Sequence, residues 1–206
     1  MKTLFKFVTA SVLAVSLSAC GASEDVVSQP VVNTMPIEAI TANWTVDKTA
    51  STLSFSSSYD GEKFSGFFSN FDAQIQFDPS HLNDAKILVT VDLASVDAQD
   101  AERTDALSGK DWFFVKTHPQ AKFEAHDITH VSGNQYRAEG ILTLRGVSKP
   151  LTLDFDLDIK DGVATMSGVS ALNRRDFDIG RGAWKSDEYV AYQVGITVAL
   201  TAHAID

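Results

Sequence analysis

From Leu151 to Ile159 the chain is apolar at every odd position, while the even positions are Thr152, Asp154, Asp156 and Asp158. Alternation with period two describes a strand with one dry face and one wet face. Val190, Tyr192, Val194, Ile196, Val198 and Leu200 alternate in the same way with Ala191, Gln193, Gly195, Thr197, Ala199 and Thr201. The pattern predicts further strands over 52–57, 64–68, 73–77, 86–93, 121–129, 135–144 and 163–172. Asp60-Gly61, Asp78-Pro79, Ser132-Gly133-Asn134, Arg145-Gly146 and Asp161-Gly162 supply turns between them. One-sided strands at such regular spacing predict an all-β fold, an antiparallel sandwich or barrel.

Residues 97–109 break the alternation, being rich in Ala, Asp, Glu and Arg. Asp97 or Asp100 can cap a helix of two or three turns there, and Gly109 can end it. Trp112, Phe113, Phe114 and Val115 follow as an apolar cluster, with Pro119 soon after. In a barrel this insertion around 97–115 would either plug an open end or gate its mouth.

The N-terminal region follows a different pattern. Lys2 and Lys6 precede an uncharged, largely apolar run from Phe7 to Ala19. At 13 residues this run is shorter than the roughly 20 needed to cross a bilayer, so residues 1–19 read as a signal peptide. The run ends in Leu17-Ser18-Ala19-Cys20, which resembles a bacterial lipobox, with Cys20 as the acylated residue. Several acyl chains anchor stably where one would not. Gly21, not Asp, follows the cysteine, which favours the outer membrane and a periplasmic-side envelope location. Residues 20–43 read as lipidated Cys plus flexible tether, with an r.m.s. span of roughly 25 Å, and residues 44–204 as the folded domain.

Composition narrows the chemistry. Cys20 is the single cysteine of 206 residues, which excludes an internal disulfide and any zinc site built on several cysteines. Formal charge is −10, from 17 Lys and Arg against 27 Asp and Glu. Loss of Lys2 and Lys6 with the signal leaves 15 against 27, a formal −12. Such a chain is not expected to bind nucleic acid or to hold anionic lipid through a basic patch. His126 and His130 lie four apart without a third ligand at a recognisable spacing, so no metal site is expected. The acidic stripe at 154–158 lacks the glycine and terminal glutamate of a calcium loop. No nucleophile elbow, phosphate-binding glycine loop or zincin helix is present, and no enzymatic activity is expected.

The dry face itself remains. In a small barrel, inward side chains either fill the interior or line a ligand cavity. Phe55, Phe67, Phe71, Phe77, Phe123 and Phe155, with the strand aliphatics Val89, Val91, Leu142, Leu144, Leu153, Leu157, Val194, Ile196 and Val198, are the candidate lining. Periodicity leaves cavity and packed core equally open.

An ordered series of motifs bears on that choice. It includes Trp44-Thr-Val-Asp47, Phe64-Ser-Gly66-Phe-Phe-Ser-Asn-Phe71, Ile75-Gln-Phe-Asp78-Pro79 and Ala94-Ser95-Val96. Glu102-Arg103-Thr-Asp105-Ala-Leu107, Trp112-Phe113 and His118-Pro119-Gln-Ala-Lys-Phe123 come next. The series ends with the Ala138–Pro150 segment and Arg174-Arg-Asp-Phe177-Asp-Ile-Gly180. Together they resemble the YceI-like family of bacterial polyisoprenoid-binding proteins. Where that family often has a His-Ser pair, this chain reads Thr49-Ala-Ser51. Tyr59-Asp-Gly61 and Gly180-Arg-Gly182-Ala-Trp184 resemble the branch associated with cytochrome b561-type membrane proteins. The resemblance implies a lipocalin-like, eight-stranded antiparallel β-barrel holding an isoprenoid lipid or quinone, with no other cofactor. Arg174, Arg175 and Arg181 are candidates for its head group, though they would equally pair with surface acids. The alternative function is an interaction module with a filled core, docking on a cytochrome b561-type partner.

Overall fold

Period-two alternation becomes curved sheet only where the dry faces can close on one another, and here they close completely. A computed structural model describes residues 40–205, which fall within one compact unit, Glu38–Asp206. The signal peptide, Cys20 and nearly all of the tether lie outside the described residues.

The strands are β1 (Trp44–Val46), β2 (Thr52–Tyr59), β3 (Glu62–Phe68), β4 (Phe71–Gln76), β5 (Lys86–Asp92) and β6 (Val96–Asp97). They continue as β7 (Gln120–Ser132), β8 (Gln135–Leu144), β9 (Val147–Lys160), β10 (Val163–Asn173) and β11 (Gln193–Ala204). These eleven segments make eight long strands, because the first three long strands are each broken once. β1 and β2 run in line along β11, at Trp44↔Ala204 and Thr52↔Ala199. β3 and β4 then pair with β2 and β1, and β6 and β5 with β3 and β4. The remaining neighbours are consecutive antiparallel pairs from β5–β7 to β10–β11. The result is a closed, eight-stranded, up-and-down antiparallel barrel.

Side chains take over the ladder where the strands break. The Ser51 hydroxyl donates to Asp47 O at 2.6 Å and accepts from Thr201 N at 3.1 Å, bridging the gap between β1 and β2. Between β3 and β4, Ser95 Oγ accepts from Asn70 N at 3.0 Å and donates to Asp92 O at 2.7 Å. Polar backbone is therefore satisfied at the two kinks.

Asp60-Gly61, Arg145-Gly146 and Asp161-Gly162 have positive φ at both positions, the geometry of two-residue hairpin turns. The expected helix is shorter than the 97–109 window. α1 spans Ala101–Ser108, with the Asp100 side chain accepting from Arg103 N at 2.9 Å as its N-cap. Asp97 belongs to β6 and accepts from Gln99 N. On β7 a register shift between Ala125 and Asp127 re-phases the strand, so Ile128 is buried while His126 and His130 are exposed. His130 Nε2 lies 2.8 Å from Gly133 O. No group of three or more His, Cys, Asp or Glu among the described residues is placed to hold a metal ion.

An up-and-down barrel sorts its connections alternately. One end carries the 60–61 turn, the 98–119 segment with α1, the 145–146 turn and the 174–192 segment. The other carries the 77–85 connection, the turns at 133–134 and 161–162, and both ends of the described chain. There Ile205 N donates to Asn43 O at 2.9 Å.

Candidate ligand-binding cavity

The two ends of the barrel are packed differently. At the end where residues 43 and 205 meet, Tyr136 stacks on Phe155 at 5.5 Å and meets Phe77 edge-on at 5.6 Å. Phe77 is pinned from outside, its carbonyl accepting from Trp44 Nε1 and Asn43 Nδ2 and its N–H donating to Asn43 Oδ1. These rings close the barrel at that end. Away from those rings the inner face carries Ala73, Ala121 and Ser170, whose small side chains leave room. A cavity of about 220 Å³ lies there, and its surface carries apolar atoms only. Two serines on its wall turn their hydroxyls into the sheet: Ser57 donates to Gln193 O and Ser170 to Thr152 O.

Eleven of the residues proposed from sequence line this cavity: Phe55, Phe71, Val89, Val91, Phe123, Leu142, Leu144, Leu153, Val194, Ile196 and Val198. Phe77, Phe155 and Leu157 do not. The two phenylalanines are in the packed closed end, and Leu157, half-buried, pairs with Met166 and hydrogen-bonds to Asn134 O beside that same end. Phe67 corrects a parity choice. Phe64, Gly66 and Phe68 take the inner face of β3, so Phe67 looks outward beside Val96 and Ala101. Gly66 is needed there, because a Cβ on it would sit 2.5 Å from the Phe55 ring and from Asp97 O.

Sequence reasoning missed Phe64, Phe68, Trp112, Phe113, Leu172 and Val190, all of which line the cavity. Strand parity carried the signal for Phe64, Phe68 and Leu172, since they continue the inward stripes of β3 and β10. Trp112 and Phe113 come from an irregular segment with no period to read. Leu107 of α1, Trp112 and Phe113 cover the wide end. Rings run continuously from Phe64 through Phe55 and Phe68 to Phe113, at 6.4, 5.7 and 6.0 Å. Trp184 bridges Trp112 at 5.8 Å and Tyr59 at 6.4 Å. Of the 112–115 cluster, Trp112 and Phe113 thus cover the mouth, while Phe114 packs against His118 and Arg145.

The three arginines differ sharply. Arg174 is 1% exposed and donates to the carbonyls of Ala191, Ile179, Ser186 and Val190 at 2.8–3.1 Å. Burial pushes its pKa below the ordinary guanidinium value. It therefore holds the 174–192 segment together from within, and its side chain reaches the cavity wall instead of the outer surface. Arg175 donates to Lys185 O and Tyr192 Oη, and Arg181 pairs with Asp178 at 3.2 Å on the surface. Arg145, which no sequence signal singled out, joins the two covering segments. It donates to Lys110 O at 2.6 Å and to the carbonyl and carboxylate of Asp178 at 2.9 and 3.0 Å.

Known proteins share this barrel. The crystal structure of Burkholderia cenocepacia BcnA superposes with a TM-score of 0.73 at 34% identity, covering 76% of this chain and 99% of BcnA. A polyisoprenoid binding domain from Saccharophagus degradans shares the fold at a TM-score of 0.64 and 15% identity, over 80% of this chain and 99% of that one. A UPF0312 protein of Ectopseudomonas mendocina is 30% identical over 162 residues, 74% of this chain and 85% of the relative. A UPF0312 protein of Photorhabdus laumondii is 38% identical over 92 residues, 45% of this chain. That match spans about half the relative's length, 47%. The YceI-like domain matches residues 44–202, from the first strand to the last, and the chain belongs to the YceI-like family.

Proposed function

We propose that this barrel binds a long apolar ligand of isoprenoid type, a polyisoprenoid or prenylated quinone, for carriage or sequestration and without catalysis. The observation that carries the reading is the cavity whose surface presents apolar atoms only. A hydrocarbon chain needs no hydrogen bonds from its site, and each buried Å² contributes about 25 cal/mol. Polar molecules would lose their hydration there without replacement. The polyisoprenoid binding domain of Saccharophagus degradans, built on the same fold, supports this ligand class. The proposal extends to location: acylated at Cys20, the chain would stand on the periplasmic side of the envelope, at the outer membrane. A filled-core docking module is favoured only at the closed end, where Phe77, Tyr136 and Phe155 pack against one another.

Organic extraction of the purified chain followed by mass spectrometry tests the reading. A prenyl lipid recovered at near one per chain is the expected result. Extracts without lipid, together with failure to take up added prenyl quinone or isoprenoid hydrocarbon, would overturn it in favour of the docking module.

A further inference from the structure

Trp112 is 8% exposed, lines the cavity, and its indole nitrogen is buried without a hydrogen-bond partner. An indole N–H is a donor only, and when buried it ordinarily finds an acceptor. Trp44 shows the usual arrangement, donating to Phe77 O at 2.9 Å. A buried donor left unpaired calls for an explanation, and a ligand atom is one. The nitrogens of Arg103 and Arg145 that also lack partners belong to guanidiniums lying over the Phe64 and Phe114 rings. Arg145 has other N–H groups bonded. The indole of Trp112 has no second donor.

A second observation comes from Arg174, whose guanidinium lies 5.6 Å from the Trp112 ring centroid and which also lines the cavity. Four of its five N–H groups are held by main-chain carbonyls, leaving one on Nη1. Its positive charge favours partial negative charge beside Trp112. A fully charged phosphate would have most of its oxygens unpaired among these apolar walls, whereas a single carbonyl oxygen would be satisfied.

We propose that the Trp112 indole N–H, beside Arg174, donates to an uncharged acceptor oxygen of the quinone-carbonyl kind carried by the ligand's outer end. The inference deepens the binding reading above and rests on it. The nitrogen is covered in the present arrangement, so an entering ligand displaces the side chains packed over it. Trp112 sits in the irregular 109–119 segment, outside the strand ladder, where such displacement breaks no sheet pairing.

The test compares two probes on the full chain: geranylgeranyl naphthoquinone, and phytane, the saturated isoprenoid hydrocarbon of equal chain length. Trp112→Phe should weaken quinone binding about tenfold more than it weakens phytane binding, the order expected for one buried hydrogen bond, since the lost ring area acts on both probes alike. A wild-type midpoint in urea unfolding shows that the variant keeps its fold. In the wild type, the indole proton resonance of Trp112 should move downfield with the quinone and not with phytane. Equal weakening of both probes, an unchanged quinone affinity or an unmoved resonance would overturn the inference and leave the binding reading standing. Failure of both probes to bind the wild type would overturn the binding reading and this inference with it.

Discussion

A single buried arginine organises the far side of the mouth. Arg174 reaches its four carbonyls by passing directly over Gly180, where a Cβ would overlap the guanidinium, and Gly180 has φ +79°. Gly180→Ala is therefore expected to displace Arg174 and strain the backbone together, destabilising the barrel by about 3 kcal/mol. Urea unfolding measures this; an unchanged midpoint would show that the segment can hold without the guanidinium. The three arginines near residue 178 were visible in the sequence as a group, but their roles were not. Which of three neighbouring cations is buried depends on a left-handed residue six positions away, and no local pattern reports that. Parity was more readable. Phe55 and Phe123 fell on the cavity by alternation alone, while Phe67 misled because two phenylalanines adjoin and only one can face inward.

At the scale of elements, the strands were legible because one face is dry and the other wet along most of their length. In the pattern the interruptions at 47–51 and 69–70 are ends of separate strands; that the pieces run on as single kinked strands was not legible, since Ser51 and Ser95 mend them through contacts with Thr201 and Asn70. The 77–85 connection at the closed end has its own electrostatic clasp. Asp78 Oδ2 lies 2.8 Å from His81 Nδ1, on the surface. The His81 hydrogen bond holds the Asp78 carboxyl below its ordinary value of 3.8, and that same bond raises His81 above 6.5. The aspartate's contribution is present above pH 3.8 and is lost as pH falls through its lowered pKa. The histidine's is full below pH 6.5 and is lost as pH rises through its raised pKa. The clasp is thus tightest between those two ordinary values and loosens on either side. In an NMR titration the His81 midpoint should lie above 6.5 and return toward it in Asp78→Asn. A wild-type midpoint at 6.5 would sink the clasp.

For the whole molecule, sequence periodicity posed a choice between cavity and filled core, and the barrel contains both, stacked along its axis. Alternation could not reveal this, because aromatic rings at the closed end and small residues such as Ala73, Ala121 and Ser170 on the cavity wall share the same inward phase. The family resemblance carried the closure into a barrel, which no single strand encodes. The proposed anchor makes a prediction at this scale. Cys20→Ser should release the protein from the membrane fraction and abolish incorporation of radiolabelled lipid. Unchanged fractionation would count against acylation.

Asn43 and Ile205 leave the barrel side by side, hydrogen-bonded across the first and last strands at the closed end. Anything joined to either terminus, whether a lipid tether, a membrane domain or a purification tag, is attached at the base of the vessel. A barrel wired this way is portable, and circular permutation that links residue 205 to residue 43 and opens the exposed 161–162 turn should leave its loading end untouched.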